Sequence, residues 1–160
     1  MKICGVTLPD DAAAVASAGV DFVGFNFWPK SKRYLAPERA PMLAGVVRAM
    51  STAKIVGLFV DATPEEIVAV CARVELDIIQ LHGDESPDAA KQIGERLPVW
   101  KAITVRSARD IEHLDVWPVE ALLLDAPRPG HGASFDHAIA REARTRFPQL
   151  KIMLAGGLAP

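Results

Sequence analysis

Lys2-Ile3-Cys4-Gly5-Val6-Thr7-Leu8-Pro9 opens the chain as a short apolar strand followed by a turn with a single glycine. That turn decides the fold, because two architectures share the alternating pattern that follows it. A doubly wound dinucleotide-binding sheet places G-x-G-x-x-G directly after its first strand, where the glycines let the backbone approach a pyrophosphate. This turn does not fit. A (β/α)8 barrel makes no such demand, and it carries its active residues at the C-terminal ends of its strands.

Further apolar runs recur beyond this turn: Phe22-Val23-Gly24-Phe25-Asn26-Phe27, Ile55-Val56-Gly57-Leu58-Phe59-Val60 and Ile78-Ile79-Gln80-Leu81. Then come Val99-Trp100-Lys101-Ala102-Ile103, Leu122-Leu123-Leu124 and Ile152-Met153-Leu154. Nearly continuous apolar strands are those buried on both faces, as in parallel sheets. Helical patterns with start signals lie between them. Thr63-Pro64-Glu65-Glu66 combines an N-cap threonine, a proline in the first turn and a glutamate placed to close a capping box. Ile67, Val68, Cys71 and Val74 then share one stripe. Ser86-Pro87 opens another helix, Asp136 caps a third, and residues 37–50 form a fourth whose first turn Pro41 can break.

The pattern predicts about seven strands and six helices in strict βα alternation, hence right-handed crossovers and a parallel sheet. The expected fold is α/β, of the (β/α)8 TIM-barrel type. A whole barrel takes about 200 residues or more. Residues 1–160 are therefore expected to form a single barrel domain, truncated after strand seven and lacking the last helix, strand and helix.

Half of the 160 residues are hydrophobic and 24% are charged, a soluble globular composition. A formal net charge of −2 and scattered basic residues give no nucleic-acid surface. No apolar run reaches the length of a membrane span, and the N-terminus lacks a signal-peptide core. Without a secretory signal, Cys4 and Cys71 read as free thiols in a reducing compartment, which predicts a cytoplasmic protein.

The strand-end rule selects Cys4, Asn26, Asp61, His82, Asp125 and the Gly156-Gly157 turn, together with loop 28–34. Cys4 admits two readings, a small buried hydrophobe or a thiolate acting as base or nucleophile. Cys71, mid-helix on an apolar stripe, reads as structural. Asp125 ends a run of three leucines. It is either a loop-capping carboxylate or a general acid set against an apolar wall. Lys30-Ser31-Lys32-Arg33 is either a solvated turn or an anion-recognition loop in which Arg33 offers a bidentate fork to a carboxylate. Gly130-His131-Gly132 and Gly156-Gly157 are turns whose backbone N–H groups can hold a phosphate, although such clusters are often turns alone. His82 finds no metal-ligand spacing with His113, His131 or His137, so it reads as a hydrogen-bonding residue of the pocket and no metal is expected.

Several segments together resemble the phosphoribosylanthranilate isomerases of tryptophan biosynthesis. They are Lys2-Ile3-Cys4-Gly5, the stretch Gly24-Phe25-Asn26-Phe27-Trp28-Pro29-Lys30-Ser31-Lys32-Arg33-Tyr34, and Val56-Gly57-Leu58-Phe59-Val60. Gln80-Leu81-His82-Gly83, Leu123-Leu124-Asp125, Ser134-Phe135-Asp136 and Leu154-Ala155-Gly156-Gly157-Leu158 follow in family order. The resemblance implies a (β/α)8 barrel. It also implies a cofactor-independent Amadori rearrangement of N-(5′-phosphoribosyl)anthranilate, with Asp125 as general acid and Cys4 as general base. Arg33 would hold the anthranilate carboxylate, and Gly132, Gly156 and Gly157 the phosphate, with His82 lining the substrate pocket.

This chain departs from the family pattern in three places. It ends before the eighth strand, its sixth loop reads His131-Gly132-Ala133-Ser134, and His137 stands where tryptophan is common. Edges left open at Ile3 and Ile152 would suit a strand-completing partner or a second copy of the chain. Two other classes are compatible with these residues. One is another phosphate-binding barrel such as an indole-glycerol-phosphate synthase, which should show a lysine-rich site. The other is a non-catalytic barrel fragment.

Overall fold

The computed structural model describes residues 1–126 and 137–156. The seven apolar runs are strands: β1 (Lys2–Cys4), β2 (Phe22–Asn26), β3 (Lys54–Phe59), β4 (Ile78–Leu81), β5 (Val99–Thr104), β6 (Ala121–Asp125) and β7 (Ile152–Ala155). They pair in parallel in sequence order, β1 to β7. The connecting helices are α1 (Pro9–Ser17), α2 (Ala40–Met50), α3 (Pro64–Cys71), α4 (Pro87–Gly94) and α5 (His137–Arg146).

The start signals work as their chemistry requires. Glu66 N donates to Thr63 Oγ1 at 3.2 Å while Thr63 N donates to Glu66 Oε2 at 2.8 Å, closing the box that opens α3. Ala89 N donates to Ser86 Oγ at 3.2 Å at the head of α4. Pro41 does not break α2. It occupies the first turn, where its missing N–H has no helical partner to lose, and the helix starts at Ala40 rather than at residue 37. Asp136 lies outside the described residues.

One expected helix is absent as such. Between β5 and β6 the chain makes two single 3-10 turns, Ala108–Ile111 and Leu114–Val116. Ser107 and Asp110 close a reciprocal cap over the first turn. His113 then leaves helical backbone (φ −128°, ψ 41°), and Pro118 prevents an α-helix from continuing.

The sheet is curled. Lys2 Nζ on β1 donates to Gln80 Oε1 on β4 at 2.7 Å. In a flat sheet, strands three places apart lie about 14 Å from one another. The inward face carries alternate residues: Phe22, Val56, Ile78, Trp100, Ala102, Ala121, Leu123, Met153 and Ala155 pack as one cluster. Phe22 meets Trp100 edge-on, with ring centroids 4.8 Å apart. The intervening residues Val23, Phe25, Ile55, Phe59, Ile79, Leu81 and Val99 face outward. They pack with Ala12, Leu43, Val47, Ile67, Ala90 and Ile93 from the helices. No helix among the described residues is long and apolar enough to cross a membrane.

A buried ion pair fixes the top of β4. Lys101 Nζ donates to Glu85 Oε2 at 2.8 Å and to Gly83 O at 2.5 Å, with the two charged side chains only 3% and 4% exposed. Glu85 also accepts from the backbone N–H groups of Asp61 and Gly83, joining the loops after β3 and β4. Lys101→Met leaves this carboxylate buried without its cation and is expected to cost about 3 kcal/mol. Thr63→Ala removes only an exposed cap and is expected to cost about 1 kcal/mol. Urea midpoints at neutral pH with an unchanged slope check both values, and an equal loss in the two variants would refute the role of the ion pair.

Candidate active site

The site is assembled at the C-terminal mouth of the curl. β1 delivers Cys4, half-buried, in register with Gly24 of β2. A Cβ at Gly24 would stand 2.6 Å from Cys4 Sγ, so the thiol occupies space that only a glycine leaves. The next residue, Gly5, turns the chain with φ +86°, and a Cβ there would meet Arg33 Cδ at 2.5 Å. The aliphatic stem of Arg33 therefore lies over Gly5. Its Nη1 donates to the Cys4 carbonyl oxygen at 3.2 Å, tying the loop after β2 to the end of β1.

That loop is built around Asn26, buried at the end of β2. Asn26 Oδ1 accepts from Trp28 N at 2.9 Å and its Nδ2 donates to Ser31 Oγ at 3.1 Å. Ser31 Oγ in turn accepts from Arg33 N at 3.1 Å. Arg33 is exposed, and its guanidinium offers a fork of N–H groups, of which the Cys4 carbonyl takes one.

On the opposite wall, β6 ends in Asp125. His82 Nε2 lies 3.2 Å from Asp125 Oδ2, and His82 Nδ1 lies 2.9 Å from Gln80 Nε2. The His82 and Asp125 side chains are 28% and 25% exposed, open to the mouth yet supported from below. Gly156, at φ +73°, stands against Asp125 Oδ1, where a Cβ would collide with the carboxylate oxygen.

One cavity of about 620 Å³ is lined by Cys4, Arg33, His82, Asp125 and Gly156, with Gln80, Leu58 and Leu123 among its other walls. Five sequence-selected residues thus share one space. Gly132 and Gly157 lie outside the described residues. Asp61 is not among the five. At φ 52° it accepts from Asp84 N and serves the loop junction above β3. Asn26 shapes the loop that carries Arg33. A groove of similar size, about 600 Å³, runs between α3 and α4 and is lined by Ile67, Val68, Cys71, Ile93 and Leu97. Burial pushes the Cys71 thiol above its ordinary range, against a smaller opposing influence from Arg96, as befits a packing residue. Among the described residues no group of three or more His, Cys, Asp or Glu could hold a metal ion.

Sequence reasoning overlooked three residues of this site. Gly24 could have been found as a glycine inside a strand, the mark of close approach by another group. Lys2 and Gln80 could have been found by counting two back from Cys4 and His82, since alternate strand residues share a face. Chemically, the cavity sets a thiol and a hydrogen-bonded carboxyl on facing walls, with a guanidinium at the rim. That arrangement can move two protons on one anionic ligand.

The chain matches the family model described as PRAI: N-(5′-phosphoribosyl)anthranilate (PRA) isomerase over residues 1–160. It is 42% identical to the N-(5′-phosphoribosyl)anthranilate isomerase of Trichlorobacter lovleyi, over the whole of this chain and 77% of that one. A phosphoribosyl anthranilate isomerase solved in complex with reduced 1-(o-carboxyphenylamino)-1-deoxyribulose 5-phosphate superposes with a TM-score of 0.82 at 37% identity, covering 98% of this chain and 75% of that one. Mutually generated monomers of the dimeric enzyme from Thermotoga maritima give a TM-score of 0.78 at 37% identity, with 98% and 75% coverage. By its sequence match and by the curled parallel sheet it shares with them, the chain belongs to the N-(5′-phosphoribosyl)anthranilate isomerase family.

Proposed function

We propose that this chain isomerises N-(5′-phosphoribosyl)anthranilate to 1-(o-carboxyphenylamino)-1-deoxyribulose 5-phosphate, a step of tryptophan biosynthesis. The observation that carries the reading is the shared cavity of Cys4, Asp125 and Arg33 in a chain of this family. Asp125 delivers a proton to the ribose ring oxygen. The C1′–O bond breaks as the anilino nitrogen's lone pair forms the C1′=N bond of a Schiff base. Cys4, as thiolate, removes the C2′ proton, and the electron pair of that C–H bond moves to C1′=C2′ while the C=N pair returns to nitrogen. The enolamine then takes a proton at C1′ while its C2′ hydroxyl gives one up, and the O–H electron pair closes the C2′=O bond of the ketone.

The two groups need opposite starting states, an acid that arrives protonated and a base that arrives ionised. Their positions on separate strand ends allow each its own surroundings. Arg33 holds the anthranilate carboxylate through its fork. The ligand's phosphate is assigned to the backbone N–H groups of Gly156, Gly157 and Gly132, the role that the family resemblance implies for them. His82 lines the pocket and supports Asp125. The related enzyme's complex with the reduced product analogue supports a phosphorylated small molecule as the ligand. The dimeric relative supports association with a second copy. Two unpaired thiols accord with a reducing cytoplasm.

Cys4→Ser is expected to lower kcat by about 10²- to 10⁴-fold with thermal stability retained, followed by the change in anthranilate fluorescence during turnover. A loss of less than about tenfold would remove Cys4 from the base role. Arg33→Ala is expected to raise KM by about tenfold or more, and an unchanged KM would dismiss the carboxylate contact. Gly24→Ala, which places a Cβ 2.6 Å from Cys4 Sγ, is expected to lower kcat by about tenfold or more while KM stays within about threefold. Full kcat in that variant would show that the thiol's position is immaterial.

A further inference from the structure

We propose that Lys2 and Gln80 are positioning residues that fix the proton of His82 on Nε2 and thereby fix which oxygen of Asp125 is free to exchange a proton. The inference rests on the assignment of Asp125 as the acid. Three contacts carry it: Lys2 Nζ to Gln80 Oε1 at 2.7 Å, Gln80 Nε2 to His82 Nδ1 at 2.9 Å, and His82 Nε2 to Asp125 Oδ2 at 3.2 Å.

The donor inventory makes this chain one-directional. An ammonium has only hydrogens to offer, so it must meet the carbonyl oxygen of the Gln80 amide. The flipped amide would set NH2 against NH3⁺, donor against donor. With Oε1 committed to Lys2, the amide nitrogen faces His82 and must donate. Nδ1 must therefore present its lone pair, which leaves the imidazole proton on Nε2. That N–H donates to Asp125 Oδ2. The ammonium also polarises the amide it holds, which strengthens the next donor in line.

The consequence falls on Asp125. With Oδ2 engaged by His82, Oδ1 is the oxygen that carries and delivers a proton, and it stands at the side cleared by Gly156. In the other tautomer, Nε2 would turn a lone pair toward Oδ2. The carboxyl would then place its own proton on that oxygen, away from the substrate. Lys2 and Gln80 lie below the mouth, two residues before Cys4 and His82 on the same faces of β1 and β4. Gln80 is 1% exposed. The catalytic acid is thus oriented from inside the barrel by groups that need not touch the ligand's reacting atoms.

The test reads the tautomer directly. Long-range proton–nitrogen correlation spectra of ¹⁵N-labelled protein at neutral pH, with the His82 signals identified by their loss in His82→Asn, are expected to show a bare Nδ1 and a protonated Nε2. Gln80→Met and Lys2→Met are each expected to mix the tautomers and to lower kcat about tenfold to hundredfold, with KM held within about threefold. Gln80→Glu replaces the donor by an acceptor and is expected to put a proton on Nδ1. A protonated Nδ1 in the unaltered protein overturns the proposal. So does an unmixed tautomer, or a kcat within about threefold of normal, in the folded Met variants. Should Gln80→Met fail to fold, Lys2→Met and the unaltered protein's spectrum still decide. If the unaltered protein does not turn over N-(5′-phosphoribosyl)anthranilate, the assigned reaction fails, whereas the spectra judge the chain of hydrogen bonds independently.

Discussion

The mouth of this barrel depends on how one charged group is satisfied inside it. Lys2 extends from β1 along the inner face of the curl, where its half-buried ammonium lines the cavity. Gln80 Oε1, on the opposite wall, meets it at 2.7 Å. That contact exists only if the sheet bends enough to bring β1 and β4 face to face. It also restrains β1, a strand of three residues held laterally by β2. A slip of β1 by one residue would turn both Lys2 and Cys4 to the outer face at once. The register that satisfies the ammonium is therefore the register that brings the thiol to the mouth.

A second lysine shows what the outer face requires. Lys101, on β5, points the other way and is buried beneath the loops after β3 and β4, where it meets the Glu85 carboxylate instead of a neutral amide. Its ammonium also lies 5.2 Å from the Trp117 ring centroid. The two lysines divide the work by parity. The inward one reaches the hydrogen bonds beneath His82, and the outward one holds the loop that follows His82. The histidine is thus constrained from its own strand below and from its own loop above. That double support restrains the ring at its contact with Asp125.

Most of the framework was legible in the sequence because it rests on local rules. The seven apolar runs became the seven strands, and Thr63 and Ser86 cap the helices their neighbours announce. Cys4, Arg33, His82, Asp125 and Gly156 converge because strand ends share one rim. What was not legible depended on contacts across the interior. Gln80 stands in Ile78-Ile79-Gln80-Leu81 as the lone polar residue of an apolar strand, yet its partners are 78 residues away in Lys2 and two away in His82. The helix expected between β5 and β6 failed for a different reason. The segment carries enough apolar residues, Ile111 and Leu114, to cover the sheet, but His113 and Pro118 stop each turn from propagating.

The side chains at the mouth also have empty space beside them, and glycines provide it in two distinct ways. Gly5 and Gly156 have φ of +86° and +73°, a conformation that glycine adopts without strain, and their missing side chains leave room for Arg33 and Asp125 Oδ1. Gly24 is an ordinary strand residue by its backbone, so its missing side chain serves volume alone. An alanine there would keep ordinary strand backbone, but its Cβ would meet Cys4, whose Sγ, Cβ and Cα would lie 2.6, 3.0 and 3.1 Å away. The residue beside the thiol is therefore set by the space that Cys4 occupies, side chain and backbone together. A strand glycine generally weakens a sheet, and its presence at this register position indicates that room for the thiol outweighs the stability that a larger side chain would contribute.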